Sequence, residues 1–272
     1  VIIFSPHPDD DVISMGGTFS RLVSQGHEVH VAYQTSGNIA VNNSDVLKFI
    51  EVYSETSSEF KKKFKNLINL LKNNNEILEN SEVRKIASII REKESLAATR
   101  FVGIPDDNVH FLKLPFYETG TVKKSSPTKI DKKIMSDIIL KIKPHQIYAA
   151  GDLADPHGTH KVCLDIFFDV LKTIKQKSFM KNCWVWLYRG AWHEWEVHEI
   201  DMSIPMSPNQ VLRKRKAIFY HQTQKDNVMF QGDDNREFWV RTEDRNRAIA
   251  KNFHDLGMSD YSAIETFKRY HF

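Results

Sequence analysis

The sequence predicts an α/β fold, a mostly parallel β-sheet flanked by helices, and three observations in its opening segment carry that prediction. Residues 1–4 (Val-Ile-Ile-Phe) are an apolar run of strand length, residues 16–23 have helical character and stop near Gly26, and residues 27–34 alternate apolar and polar positions before Ser36-Gly37-Asn38. Strand, helix and strand at this spacing form a βαβ unit, which implies a parallel sheet. The expected architecture is a Rossmann-like sheet in a single domain over residues 1–272, with a helical insertion at about 42–80.

The elements follow in order. Ser5-Pro6-His7-Pro8 is not helical, because each proline pushes its predecessor out of the α region. Residues 42–80 turn rich in Lys, Glu, Asn and Ser, but Phe60, Phe64, Leu67 and Leu71 keep helical spacing, so a surface helical insertion is expected, with Lys61-Lys62-Lys63 as a solvated face. Ser81 is the expected N-cap of a helix running toward Thr99, and residues 101–105 should close it into a short strand. Residues 109–114 predict a strand, and Ser126-Pro127-Thr128 should start a helix running to Lys143. Residues 146–150 predict a strand, 159–177 an amphipathic helix, and 184–188 another strand. Residues 195–204 alternate as a strand at a sheet edge would. Residues 208–220 and 243–256 are the last expected helices.

Composition limits the function classes. A net charge of +3 on 38 basic and 35 acidic residues does not call for a nucleic-acid partner. No stretch approaches the roughly 20 apolar residues that a membrane span needs, and no signal peptide is visible. Cys163 and Cys183 are too few for a secreted disulfide framework and fit reduced, packed thiols in a cytoplasmic protein. The chain starts without Met, directly in a strand, so upstream sequence is expected.

In an open α/β sheet, ligands bind beyond the carboxyl ends of the strands. Two segments in such positions hold metal-competent residues: His7-Pro8-Asp9-Asp10-Asp11 after the first strand, and Gly151-Asp152 through Asp155-Pro156-His157-Gly158-Thr159-His160 after the strand at 146–150. Catalytic zinc takes three protein ligands from His and carboxylates and keeps a position open. His7 and a neighbouring aspartate can supply two of these, with Pro8 stiffening the turn. Asp155-Pro156 has the form of a helix start, an Asp cap with Pro in the first turn. His157 and His160 then share a face, and one can ligate while the other points at substrate. His110, His145, His193, His198, His254 and His271 are expected to be surface or satisfied polar residues.

Pro6-His7-Pro8-Asp9-Asp10-Asp11 with Gly16-Gly17-Thr18, together with His157-Gly158-Thr159-His160, resembles the signature of the PIG-L/LmbE-like zinc-dependent N-deacetylases, with Asp11 where that family usually has Glu. Weaker matches are Arg91-Glu92-Lys93-Glu94 and Lys216 through Tyr220-His221-Gln222-Thr223-Gln224, where a Ser is absent. The resemblance implies that His7, Asp10 and His160 bind the metal, that Asp9 is the general base and that His157 assists at the oxyanion. Arg91 and Asn38 are candidate substrate contacts. The expected metal is Zn2+, although two histidines and one carboxylate also suit Fe2+, Co2+ or Mn2+. The implied substrate is an N-acetylglucosamine-type amino sugar. Some members of the family follow a glucosamine-6-phosphate deaminase-like domain, so a fused or associated domain of that kind is a further expectation. The aromatic cluster Trp184, Trp186, Tyr188, Trp192 and Trp195 is expected to be mainly packing, with sugar stacking as its functional alternative.

Other readings are a metal-dependent amidase on a different amide, a phosphoesterase, and a non-catalytic sugar-binding domain. A two-metal phosphoesterase needs more bridging carboxylates than the sequence offers. A dinucleotide binder is disfavoured, because Gly16-Gly17 is not a Gly-x-Gly-x-x-Gly loop and no acidic residue closes the second strand.

Overall fold

The computed structural model describes residues 1–73, 80–119, 123–155, 157–190, 192–225 and 236–272. Its strands are β1 (Ile2–Ser5), β2 (His30–Tyr33), β3 (Val109–Phe111), β4 (Gln146–Ala150), β5 (Trp184–Tyr188), β6 (Met202–Met206) and β7 (Ala263–Tyr270). They form one sheet in the order β3-β2-β1-β4-β5-β7-β6. The first five run parallel, while β7 is antiparallel to both β5 and β6. The mostly parallel α/β fold predicted from the sequence is what the chain adopts.

Parallel strands covered on both faces are apolar throughout, because successive side chains point to opposite sides. Ile2 and Phe4 of β1 and Ile147 and Ala149 of β4 enter the core beneath α5 (Lys129–Ile142) and α6 (Thr159–Ile174). Ile3, Tyr148 and Ala150 enter the opposite core with α1 (Asp10–Ser24) and α4 (Ser81–Val102). Both cysteines are buried and free. In the expected insertion, α2 (Asn43–Glu55) and α3 (Ser58–Asn73) bury Val46, Ile50, Leu67 and Leu71 against Val83, Ala87 and Ile90 of α4, apart from the two sheet cores. The end of that insertion, at 74–79, lies outside the described residues. No described helix is long and apolar enough to cross a membrane.

The structure corrects several boundaries. Helix α1 begins at Asp10 rather than near Gly16, and it is broken at Met15 (φ −133, ψ 27). The Gly17 and Thr18 N–H groups freed by the break donate to Glu265 at 2.9 and 2.6 Å. Glu265 pairs with Lys214 at 2.8 Å, both side chains being 1% exposed. Gly17 is required here, since a Cβ would lie 2.2 Å from Met206 Sδ. Asn80, not Ser81, caps α4 by accepting from the Glu82 and Val83 N–H groups. Phe101 and Val102 finish that helix instead of forming a strand, and Gly103 terminates it at φ 108. The edge strand expected at 195–204 is β6, at 202–206, and β7 beside it had no counterpart in the sequence reading. The C-terminal helices are α7 (Pro208–Phe219), α8 (Gln222–Lys225) and α9 (Phe238–Asp255), the last starting five residues before the predicted 243.

Candidate metal centre and cleft

Strand order reverses at β1, with β2 on one side and β4 on the other, which is the switch point where α/β sheets bind ligands. The turn after β1 is tight: Ser5 Oγ donates to the His7 carbonyl at 2.6 Å, and the Asp9 N–H donates to the same oxygen at 2.8 Å. Asp10 Oδ2 turns back to accept the His7 N–H at 2.8 Å and lies 3.1 Å from His7 Nδ1. From beyond β4, His160 brings Nε2 to 3.1 Å from the same carboxylate oxygen and 3.3 Å from His7 Nδ1. Among the described residues, His7, Asp10 and His160 form the cluster able to hold a metal ion.

The donor set fits such an ion. Ligand bonds of about 2.0–2.1 Å at tetrahedral angles separate ligand atoms by about 3.3 Å, close to the observed triangle. His160 Nδ1 lies 2.9 Å from the Asp152 carbonyl oxygen, which fixes the tautomer leaving Nε2 facing the cluster. Burial disfavours a charge on His160, but the Asp10 carboxylate outweighs it and lifts the imidazole to about 9. The same ion pair outweighs burial at Asp10 and holds its carboxyl far below the usual range.

The three consecutive aspartates diverge. Asp9 makes no side-chain cap to α1 and instead pairs with Arg91 Nη2 at 3.1 Å, with both side chains buried. Asp11 turns into the core, accepts the Tyr33 hydroxyl at 2.9 Å, and is pushed up to about 7 by burial. It is therefore a packing residue rather than part of the cleft. Arg91 lines the cleft, but its Nη2 holds Asp9, while Nε and Nη1 have no partner among the described residues. Gly37 permits this approach: at φ 61 it passes so close that a Cβ would meet Pro8 Cδ at 2.8 Å and Arg91 Nε at 3.1 Å.

The second segment departs from its expected form. Helix α6 begins at Thr159 behind Gly158 (φ 65), so His157 precedes the helix and does not share its first turn with His160. Asp155 still does the work of a cap, accepting the His157 N–H on Oδ1 and the Thr159 and His160 N–H groups on Oδ2. Pro156 lies outside the described residues. His157 stands largely exposed at the cleft, and the partial burial of its ring lowers its pKa. Asn38 does not line the cleft. Its amide faces Glu118 at 3.5 Å, and Ile39 and Ala40 form the wall instead.

The two weak motifs meet each other. Glu94, one turn after Arg91, accepts the Thr223 N–H at 2.8 Å and the Thr223 hydroxyl at 2.9 Å. Gln224 then lines the cleft while donating to the Ala40 carbonyl at 2.8 Å. The buried late lysine is Lys214, whereas Lys216 stands outside this network. Asp152, Tyr117 and Phe238 escaped the sequence reading as site residues. Asp152 carried a signal, its position directly after a strand. Of the aromatic cluster, Trp192 lines the cleft, whereas Tyr188 donates to the Phe4 carbonyl and Trp195 lies under Arg189. The cavity at the base of this cleft is small, about 70 Å3.

The profile of the PIG-L family, described as GlcNAc-PI de-N-acetylase, matches residues 2–171. A glucosamine-6-phosphate deaminase-like protein of Bacteroides thetaiotaomicron is 45% identical over 281 residues, covering 99% of this chain but 42% of the relative. The chain thus spans less than half the length of that relative. Among solved structures, an inhibitor complex of N,N'-diacetylchitobiose deacetylase from Pyrococcus horikoshii matches with a TM-score of 0.60 at 19% identity, over 99% of this chain and 82% of that one. The 4-carboxy-2-hydroxymuconate hydratase GalB of Pseudomonas putida matches with a TM-score of 0.62 at 15% identity, over 100% and 95%. A zinc-inhibited form of teicoplanin deacetylase gives 0.55 at 14%, over 99% and 98%. At these identities the likeness is one of fold, and a hydratase shares it with deacetylases.

Proposed function

Because this chain belongs to the PIG-L family, we propose that it is a metal-dependent N-deacetylase that releases acetate from an N-acetylglucosamine-type amino sugar. The observation that carries this reading is the triangle of His7 Nδ1, Asp10 Oδ2 and His160 Nε2, with sides of 3.1, 3.1 and 3.3 Å. We assign these three residues as ligands of Zn2+, with Fe2+, Co2+ or Mn2+ accepted by the same donors. A bound ion supplies a Lewis acid that acidifies water and polarises the amide carbonyl.

The chain's own residues do the rest. Asp9, free of the metal cluster, takes a proton from the attacking water and returns one to the leaving amine. Arg91 keeps Asp9 oriented through Nη2, and its remaining N–H groups face substrate hydroxyls. His157 donates an N–H to the developing oxyanion, which a neutral imidazole can also do, though less strongly than a charged one. Removing one such donor typically lowers turnover by about 10²–10³. A role in a longer protein with a deaminase-like partner domain is consistent with the coverage of the Bacteroides relative.

The test is acetate release from N-acetylglucosamine and its glycosides, with metal content measured on the same preparations. Asp9→Asn is expected to keep stoichiometric metal and lose at least 10²-fold in kcat. His160→Ala is expected to lose the metal. Full activity of Asp9→Asn refutes the assigned base, and full metal occupancy of His160→Ala refutes the ligand set.

A further inference from the structure

A second and larger cavity, of about 560 Å3, lies where the helical insertion packs on α4, and it shares no lining residue with the cleft. Phe49 and Tyr53 of α2, Phe64 of α3, Ile86 and Ile89 of α4 and Tyr220 just past α7 bound it. Apart from Lys93, Glu94 and Gln222, its lining is apolar or aromatic. Phe49, Tyr53, Ile89 and Tyr220 each remain between 39 and 49% exposed, so neither the insertion nor the sheet core covers them. Large apolar groups left open around a hollow mark a site of interaction rather than a packing surface. Its volume falls within the roughly 300–1,000 Å3 of small-molecule pockets. Residues three or four apart share a helix face, so Ile86, Ile89, Lys93 and Ala97 form one stripe of α4 along the cavity. Lys93 stands in the middle of that stripe.

The three polar residues decide the class of ligand. Glu94 is already engaged, its carboxylate accepting the Thr223 N–H at 2.8 Å and the Thr223 hydroxyl at 2.9 Å. Gln222 is uncharged. Lys93 is the lone Lys or Arg of the lining, and it makes no hydrogen bond or ion pair among the described residues. The carboxylates nearest along the chain are taken elsewhere, Glu92 by Lys113 at 2.6 Å and Asp106 by Arg100. An apolar hollow with a single available cation matches an amphiphile that has a long apolar tail and one negative charge at its head. A phosphate monoester would bring close to two charges to that one cation. An alkyl tail follows an irregular hollow through its rotatable bonds, whereas the convex face of a second copy would leave it unfilled. We propose that this cavity is a binding site for a fatty acid, with the alkyl tail among Phe49, Tyr53, Phe64 and Ile89 and the carboxylate on Lys93. Binding there requires neither the metal nor the deacetylase chemistry.

The experiment titrates decanoate, dodecanoate and decanol into the metal-loaded protein by calorimetry, below their micellar or solubility limits. Wild type is expected to bind one dodecanoate per chain at least fivefold more tightly than decanoate, since each fully buried methylene contributes about fourfold. Lys93→Met should weaken dodecanoate by about threefold, the scale of an exposed ion pair, and leave decanol unchanged. Phe49→Ser opens the hollow and Ile89→Trp fills it, so each should weaken both ligands at least tenfold. Both positions are partly exposed, and an unchanged circular dichroism spectrum confirms that the variants fold. Dodecanoate should bind equally well after a chelator has stripped the metal. Absence of saturable binding, wild-type affinity in folded Phe49→Ser and Ile89→Trp, or equal effects of Lys93→Met on acid and alcohol overturns the proposal. Loss of binding on metal removal overturns it too, by placing the carboxylate at the His7, Asp10 and His160 cluster. A dimer in light scattering that Phe49→Ser dissociates, in protein that binds no dodecanoate, gives this face to a second copy instead. Absence of deacetylation with dodecanoate binding as expected sinks the deacetylase reading and leaves this site standing.

Discussion

Replacing Lys214 by Met tests the staple beneath the turn that carries His7 and Asp10. The Lys214 ammonium lies 2.8 Å from Glu265, with both side chains 1% exposed, and it also donates to Asn246 Oδ1 at 2.8 Å. At an effective dielectric constant near 20, the attraction at that distance is about 6 kcal/mol, part of which offsets desolvation of the two ions. Removing one partner of a buried pair typically costs about 3–5 kcal/mol, because the other charge stays behind. Glu265 keeps three donors in Lys214→Met, the Gly17 N–H, the Thr18 N–H and the Thr18 hydroxyl, so the lower end applies. The expected loss is about 3 kcal/mol, a large share of the roughly 5–15 kcal/mol that stabilises a domain. Urea unfolding reads it as a lower midpoint at unchanged slope. A double-mutant cycle with Glu265→Gln should give a coupling of at least about 2 kcal/mol. The same staple fixes the break in α1, whose first turn carries Asp10, so metal affinity should weaken as well. A loss below about 1 kcal/mol with unchanged metal affinity would refute the idea that this pair holds the turn.

Two further outcomes follow from buried geometry. Burial pushes the Glu194 carboxyl up to about 8, and its Oε1 has no partner among the described residues. Its folded pKa lies above the unfolded value of 4.5, so the folded state holds an extra proton between those limits and stability falls as pH rises from about 4.5 to 8. Glu194→Gln should remove that slope and be the more stable protein above pH 8, by on the order of 2 kcal/mol after discounting for its partial exposure; thermal unfolding across pH 5–9 reads the difference, and parallel curves for the two proteins would contradict it. Gly37→Ala should lower stability by about 1–3 kcal/mol through its φ of 61 and the encounter with Pro8 and Arg91, with kcat falling more than metal content; wild-type kinetics would mean that the Arg91–Asp9 pair tolerates a shift.

The parallel half of the fold was legible because its strands are apolar on both faces, and the helices between them announce their ends. Strand β7 was not, because it carries Glu265 and Thr266 among its buried residues, and a buried carboxylate makes sense only once Lys214 and the open N–H groups of α1 are beside it. The His7, Asp10 and His160 cluster was legible for the opposite reason, since His and Asp stood where the topology builds sites. What the pattern could not give was direction. Asp9, Asp10 and Asp11 are chemically alike in sequence, yet Arg91, His160 and Tyr33 draw them three different ways. His157 was placed on a helix because Asp155 looked like its cap; Gly158 delays the helix while Asp155 still accepts its N–H groups. Phe238 had no signal at all, as its role depends on α9 packing across the cleft.

Asp152 sets a condition on redesign. Its carboxylate receives the backbone of residues 192 and 193 while its carbonyl steers His160. Grafting a different segment at 190–195 would disturb the His7, Asp10 and His160 cluster too, unless the graft again aims two backbone N–H groups at that carboxylate. Divergence in this region is therefore freer in side chains than in loop shape, and libraries that vary residue 192 at fixed loop length should retain activity more often than those that change the length.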